Sequence, residues 1–217
     1  MAGKVIAIDP GHNGAAAQHL AEINALVDAG GFMKACQTTG TATNGGYSEA
    51  TYNWDVALRL KAVLEAAGAT VRLTRDSNAG WGPCIDARGR FPAQVGANLL
   101  LSIHGDGSAN GNRGFHVIEP ASRAGWTDDI AVPSARLGGL ARDGLVAGGF
   151  SPSNYIGQGG IDVRGDLGTL NWSDRPAVMV ETGNMRDSTD VRWMTSADGR
   201  QRLAQALAAG IAAFLHS

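Results

Sequence analysis

Four side chains of this chain are placed to do chemistry: His12, Glu49, His104 and Glu181. Two imidazoles and one carboxylate make the His₂Glu ligation used by catalytic zinc, which keeps a fourth position for water. Zinc lowers the pKa of bound water to about 7, giving a nucleophile at neutral pH. A second carboxylate is then useful as general base and later as acid to a leaving amine. Glu181 suits that role. The set predicts a zinc-dependent hydrolase with His12, Glu49 and His104 around one ion per chain.

Each residue also has a plainer reading. Asp9-Pro10-Gly11 is a turn, and a histidine after a turn is commonly solvated. Glu49 in the first turn of a helix is favoured by the helix dipole, with Ser48 or Thr51 available for capping. Glu181 could pair with a buried arginine such as Arg75. The separations along the chain are too long for any short metal motif, so the elements must bring the set together.

Those elements follow from the apolar pattern. Lys4–Asp9 (KVIAID) is a short apolar run closed by Pro10-Gly11, a buried strand feeding a loop. Residues 13–46 are polar, with a short helix expected near His19–Ala29; so long a connection is either functional or pinned. Helical rhythm spans Ser48–Ala67 and stops at Gly68. Strands are expected at Thr70–Thr74, Leu99–Ile103, Gly114–Ile118 and Ala177–Glu181. Helices are expected at Cys84–Ala97 (bent or delayed by Pro92), Ser134–Ala147 and Asp198–Leu215. Strands alternating with helices predict an α/β fold: a single domain over residues 1–217, with a mixed, mostly parallel twisted sheet and helices on both faces. Ligands of such sheets sit beyond the carboxyl ends of strands. His12, His104 and Glu181 all follow strand ends, and Glu49 opens a helix.

Bulk properties narrow the classes. The formal net charge of −2 argues against a nucleic-acid partner. Glycine is abundant at 31 of 217 residues but lacks a G-X-Y period, which excludes a collagen-like chain. No run approaches the roughly 20 apolar residues of a membrane span. No leader is visible before Lys4, so Met1 is either a natural start or a start placed on a mature domain. Cys36 and Cys84 lie in loop-like surroundings without a C-x-x-C step, which suits a disulfide, with two free thiols as the alternative. A bridge would imply an oxidising compartment.

The opening Ile8-Asp9-Pro10-Gly11-His12-Asn13-Gly14 resembles that of the zinc-dependent N-acetylmuramoyl-L-alanine amidases of the amidase type 3 family. Further landmarks recur in order: Glu49 with Asn53, Thr74-Arg75, Arg88, Ser102-Ile103-His104, residues 114–117 (GFHV) and residues 176–185 (PAVMVETGNM). The two-cysteine loop and Asn154–Gln158 are similar to the compact secreted amidases of mycobacteria and related actinobacteria. The resemblance implies metal ligands at His12, Glu49 and His104 and a catalytic Glu181. It also implies hydrolysis of the amide between the lactyl group of N-acetylmuramic acid and the L-alanine of the peptidoglycan stem. A secreted, periplasmic or cell-wall location follows, with the leader missing from this sequence. Gly105-Asp106 departs from the family's Ala-Asn or Ala-Asp and is expected to loosen that loop.

Within this frame Arg164, Asp166, His116 and Asn171 are candidate substrate contacts, since an Arg fork suits stem-peptide carboxylates. Trp81, Trp126 and Trp172 are candidate sugar platforms or loop anchors. Without a separate wall-binding domain, the expected partners are soluble muropeptides and the expected state a monomer. Two other readings stay open: a catalytically silent module that binds cell-wall fragments, and a zinc carboxypeptidase on a similar sheet.

Overall fold

Apolar runs bounded by Gly and Pro set the strands. The computed structural model describes residues 1–216. Val5–Pro10 forms β1. A 3-10 turn at Ala16–Gln18 and a short helix α1 (Leu20–Asn24) lead into a hairpin of β2 (Leu26–Asp28) and β3 (Met33–Ala35). There follow α2 (Glu49–Ala66), β4 (Thr70–Leu73), α3 (Ile85–Gln94), β5 (Leu99–Asp106), β6 (His116–Pro120) and α4 (Ala131–Ala147). The chain closes with β7 (Ile161–Arg164), α5 (Gly168–Asn171), β8 (Ala177–Asn184), α6 (Ser188–Met194) and α7 (Ala197–His216).

Six strands form one sheet in the order β4-β1-β5-β8-β6-β7, parallel throughout except for the antiparallel pair β6/β8. The mixed, mostly parallel sheet expected from the sequence is thus present. Side chains alternate across each strand. Ile6 and Ile8 of β1 therefore face α2, α4 and α7, packing with Val56, Leu60, Leu137 and Leu207, while Ala7 and Leu100 face the other way, towards Leu170 and Phe91. Burial of each such Leu or Ile contributes about 1.5–3 kcal/mol. Covering both faces also explains why β1, β5 and β8 read as unbroken apolar runs rather than alternating ones.

The differences from the sequence reading have local causes. The helix expected over His19–Ala29 ends at Asn24, and the chain turns back as a hairpin. Asp28 Oδ1 accepts from the N–H groups of Gly30 and Gly31 at 2.9 and 2.7 Å, and both glycines have positive φ, which a side chain would resist. The stretch around Arg164, for which the apolar pattern predicts no element, contains β7, paired in parallel with β6, and one helical turn at Gly168–Asn171. Pro92 lies inside α3, which ends at Gln94 rather than Ala97. α2 begins where expected, with Ser48 Oγ accepting from Thr51 N at 3.4 Å.

The hairpin is strapped to the rest of the fold by its backbone. Carbonyls of Asp28, Ala29 and Gly30 accept from Trp172 Nε1 (2.6 Å), Asn171 Nδ2 (2.7 Å) and Arg123 Nη2 (2.7 Å). Lys34 Nζ donates to the Asp166 carbonyl at 2.8 Å. At its base a disulfide joins Cys36 to Cys84, with the Cα atoms 4.4 Å apart. No helix among the described residues is long and apolar enough to cross a membrane.

Candidate active site

The parallel neighbours β1, β5 and β8 bring their carboxyl ends to one edge of the sheet. His12 leaves β1 through Pro10-Gly11. His104 and Glu181 are register partners on β5 and β8. Glu49 arrives on the first turn of α2. β5 runs to Asp106 and β8 to Asn184, past these side chains, with an irregularity between His104 and Asp106, so the residues stand near the strand ends and not at them.

His12, Glu49 and His104 offer ligand atoms that all lie within 4.8 Å of one another, the one such group of His, Cys, Asp and Glu found among the described residues. Glu49 Oε2 is 3.1 Å from His12 Nε2, and Oε1 is 2.9 Å from His104 Nδ1. His12 is the one non-glycine residue described with positive φ, at 56°. That conformation is uncommon for a residue with a Cβ and persists where its surroundings hold it. Arg88 Nη2 donates to the His12 carbonyl (3.0 Å), and Arg75 Nε and Arg88 Nη1 both donate to the Pro10 carbonyl (3.0 and 2.9 Å). His12 Nδ1 donates to the Thr38 carbonyl at 2.8 Å, which leaves Nε2 as an acceptor aimed at the cluster. Glu49 is oriented by the N–H groups of Thr41 (2.9 Å) and Gly105 (3.2 Å) and by Asn53 Nδ2 (3.3 Å). Gly105 is therefore tied to the centre, contrary to the expectation that it loosens its loop.

The donor set fits a divalent cation. Burial alone would push the Glu49 carboxyl up, but the imidazoles of His12 and His104 outweigh it and hold it well below the usual range. Burial would push His12 down, but the Glu49 charge raises it. A buried carboxylate held charged between two imidazole nitrogens is a composition suited to zinc and to other borderline divalent ions. The backbone leaves room for it: a Cβ on Gly11 would lie 2.2 Å from the His104 ring, and one on Gly40 2.7 Å from Glu49 Oε2.

Glu181 lines the same cavity, whose volume is about 410 Å³. Its Oε2 is buried and has no hydrogen-bond partner. Burial, then the charges of Glu49 and Asp106, push its carboxyl well above the usual range, with Arg164 opposing. A carboxyl of this kind holds a proton readily, as an acid–base group must. Thr182, beside it, ties the two strands together: its hydroxyl donates to the His104 carbonyl at 2.9 Å and meets Tyr52 Oη at 2.7 Å.

The remaining candidates are placed differently. Arg75, offered as a partner for Glu181, instead donates to carbonyls of Pro10, Ser77 and Ala50. Arg164 and Asp166 pair with each other at 2.8 Å, and Asp166 also takes Lys34; neither is among the cavity-lining residues. Asn171 is buried and holds the hairpin and the Gly165 carbonyl. His116 is buried opposite Glu181 in the β6/β8 register and packs edge-on to Tyr155, outside the cavity lining. Trp126 and Trp172 pack on each other, and Trp81 stacks near His19. The residues not anticipated are Gln37, Thr38 and Thr41. They lie on the polar stretch between the hairpin and α2, where no periodicity marks a contact.

The fold recurs in known proteins. The chain is 43% identical over 216 residues to N-acetylmuramoyl-L-alanine amidase Rv3717 of Mycobacterium tuberculosis, covering 99% of this chain and 88% of that protein. The crystal structure of the N-acetylmuramyl-L-alanine amidase Ami1 from Mycobacterium smegmatis superposes with a TM-score of 0.93 at 40% identity, over 99% of this chain and 98% of that one. Apo Ami1 from Mycobacterium abscessus gives 0.94 at 40% identity, over 99% and 100%. A family model described as N-acetylmuramoyl-L-alanine amidase matches residues 6–213, and the chain belongs to that family.

Proposed function

We propose that this chain hydrolyses the amide joining the lactyl group of N-acetylmuramic acid to the L-alanine of the peptidoglycan stem. In this reading zinc is held by His12, Glu49 and His104, and Glu181 moves the proton. The observation that carries it is the unpartnered Glu181 Oε2 in one cavity with the two-imidazole, one-carboxylate cluster. Family membership and the mycobacterial relatives support the bond that is cut.

When bound, the metal supplies Lewis acidity, which acidifies water and polarises a carbonyl. The chain does the rest. Thr38 and Glu49 fix the His12 ring, and Thr41, Gly105 and Asn53 fix Glu49, so the donors are preorganised. Glu181 accepts the proton of the attacking water on its carboxylate and returns it to the departing alanine nitrogen. Its raised proton affinity favours the first half of that transfer, uptake of the proton from water. One chain supplies all four groups, so a monomer suffices. The Cys36–Cys84 disulfide supports action outside the cytoplasm.

The test is N-acetylmuramoyl-L-alanyl-D-isoglutamine incubated with the zinc-loaded protein and followed by mass spectrometry. Free dipeptide with an L-alanine amino terminus is expected. Glu181→Gln should keep stoichiometric zinc and lose turnover by about 10³-fold or more. A fully active Glu181→Gln would overturn the proton role. With a longer stem, release of D-alanine would indicate a carboxypeptidase, and no release with any divalent ion a binding module.

A further inference from the structure

Gln37 is 95% buried, with a relative exposure of 5%, and lines the cavity that holds Glu49, His104 and Glu181. Neither its side-chain oxygen nor its side-chain nitrogen has a hydrogen-bond partner. Glutamine is seldom buried unpaired, because both ends of the amide give up water and recover nothing. The position is not a loose one. Cys36, on one side, is clamped by the disulfide, and its carbonyl accepts from Ile85 N at 2.8 Å. Gln37 N donates to the Ile23 carbonyl at 3.1 Å. Thr38, on the other side, holds the His12 ring. A rigid backbone thus holds an unpaired carboxamide, with one acceptor and two donors unused, in the wall of the reaction cavity.

We propose that Gln37 is a specificity-determining residue that pairs through both ends of its side chain with a secondary amide of the substrate. This rests on the amidase reading above. A secondary amide offers one N–H and one C=O, the complement of a primary carboxamide. Two lie next to the scissile bond in the substrate: the peptide bond that follows L-alanine, and the acetamido group of the sugar. The apolar part of the wall, Ile85, Leu167 and Met179, suits the alanine or lactyl methyl that flanks the reacting carbonyl. Other polar side chains line the cavity, Lys34, Thr41, Asp106 and Thr169 among them, but Gln37 is the one carboxamide. A site built to hydrogen-bond a substrate group discriminates strongly against analogues that lack it.

The experiment compares wild type with Gln37→Met and Gln37→Leu on three substrates: N-acetylmuramoyl-L-alanyl-D-isoglutamine, N-acetylmuramoyl-L-alanine, and the de-N-acetylated muramoyl dipeptide. Expected is a loss of about tenfold or more in kcat/KM on the full substrate. The thermal midpoint should stay level or rise, because the side chain holds no part of the fold. The gap between wild type and variant should close on one truncated substrate: on muramoyl-L-alanine if the stem amide is the partner, on the de-N-acetylated one if the acetamido group is. A loss of equal size on all three substrates, no loss on any, or a fall in thermal midpoint matching the kinetic loss overturns the assignment. Failure of wild type to cleave any of the three would instead count against the amidase reading itself.

Discussion

Arg88 binds the side chain of Asp9 and the main chain of His12 with one guanidinium: Nη1 lies 2.6 Å from Asp9 Oδ1, and Nη2 lies 3.0 Å from the His12 carbonyl. Arg88 and Asp9 are both buried, and Asp9 is further satisfied by Thr74 and by Ser102 Oγ at 2.7 Å. The ion pair therefore fixes the turn that carries His12 in its left-handed conformation.

Arg88→Met should leave Asp9 charged and unpaired in the interior. We expect a loss of about 3–5 kcal/mol in denaturant unfolding. Zinc affinity should fall by about 10–100-fold, as for loss of an outer support of a ligand. A variant with unchanged unfolding midpoint and unchanged zinc affinity would show that the turn holds itself.

Acid stability should carry the signature of Asp9. Burial pushes its carboxyl up, but Arg88, Thr74 and Ser102 outweigh burial and bring it down to about 2 from an ordinary 3.8. A carboxyl depressed in the folded state stabilises above its unfolded value. That contribution, about 2 kcal/mol, is lost as pH falls from about 4 to about 2. The stability gap between wild type and Asp9→Asn should therefore be widest above pH 4 and shrink below it. Melting curves at half-unit steps measure it; a gap independent of pH would refute the linkage.

Gly11→Ala tests the packing of the centre without touching a ligand. The added methyl would lie 2.2 Å from the His104 ring, so the ring must move. Stoichiometric zinc should be lost or weakened by at least tenfold, while far-ultraviolet circular dichroism stays native. Tight zinc binding by this variant would mean that His104 is free to shift and still ligate.

The disulfide closes a loop across 48 positions. In the chain-entropy model it contributes about 4 kcal/mol, an upper figure. The double variant Cys36→Ala, Cys84→Ala should unfold at a lower denaturant concentration by a corresponding amount. A midpoint within error of wild type would mean that the hairpin straps alone suffice.

The centre was legible in the sequence because its members sit beside strong local patterns. His104 and Glu181 interrupt apolar runs that both faces of the sheet must bury. Glu49 follows a capping serine, and His12 a Pro-Gly turn. The sheet order was legible only as a class, since β6 runs antiparallel to β8 through pairings that no local pattern encodes. The hairpin was missed because Leu26, Val27 and Asp28 read as a continuation of helix until the Asp28 side chain captures two glycine N–H groups. Gln37 was missed for a different reason. Its importance lies in what it does not touch, and an unpaired group leaves no trace in composition or period.

Three consecutive carbonyls, those of Asp28, Ala29 and Gly30, carry the straps of the hairpin, and side chains from elsewhere supply the donors. Every residue type has a carbonyl, so these three straps are indifferent to what the strands display, and only the Lys34 tie to the Asp166 carbonyl depends on a strand side chain. Leu26 and Met33, both more than half exposed, sit on such a mount. The hairpin is in effect a socketed cassette: its outward face can be changed by substitution or grafting, while the carbonyl fittings that hold it beside His12, Glu49 and His104 stay as they are.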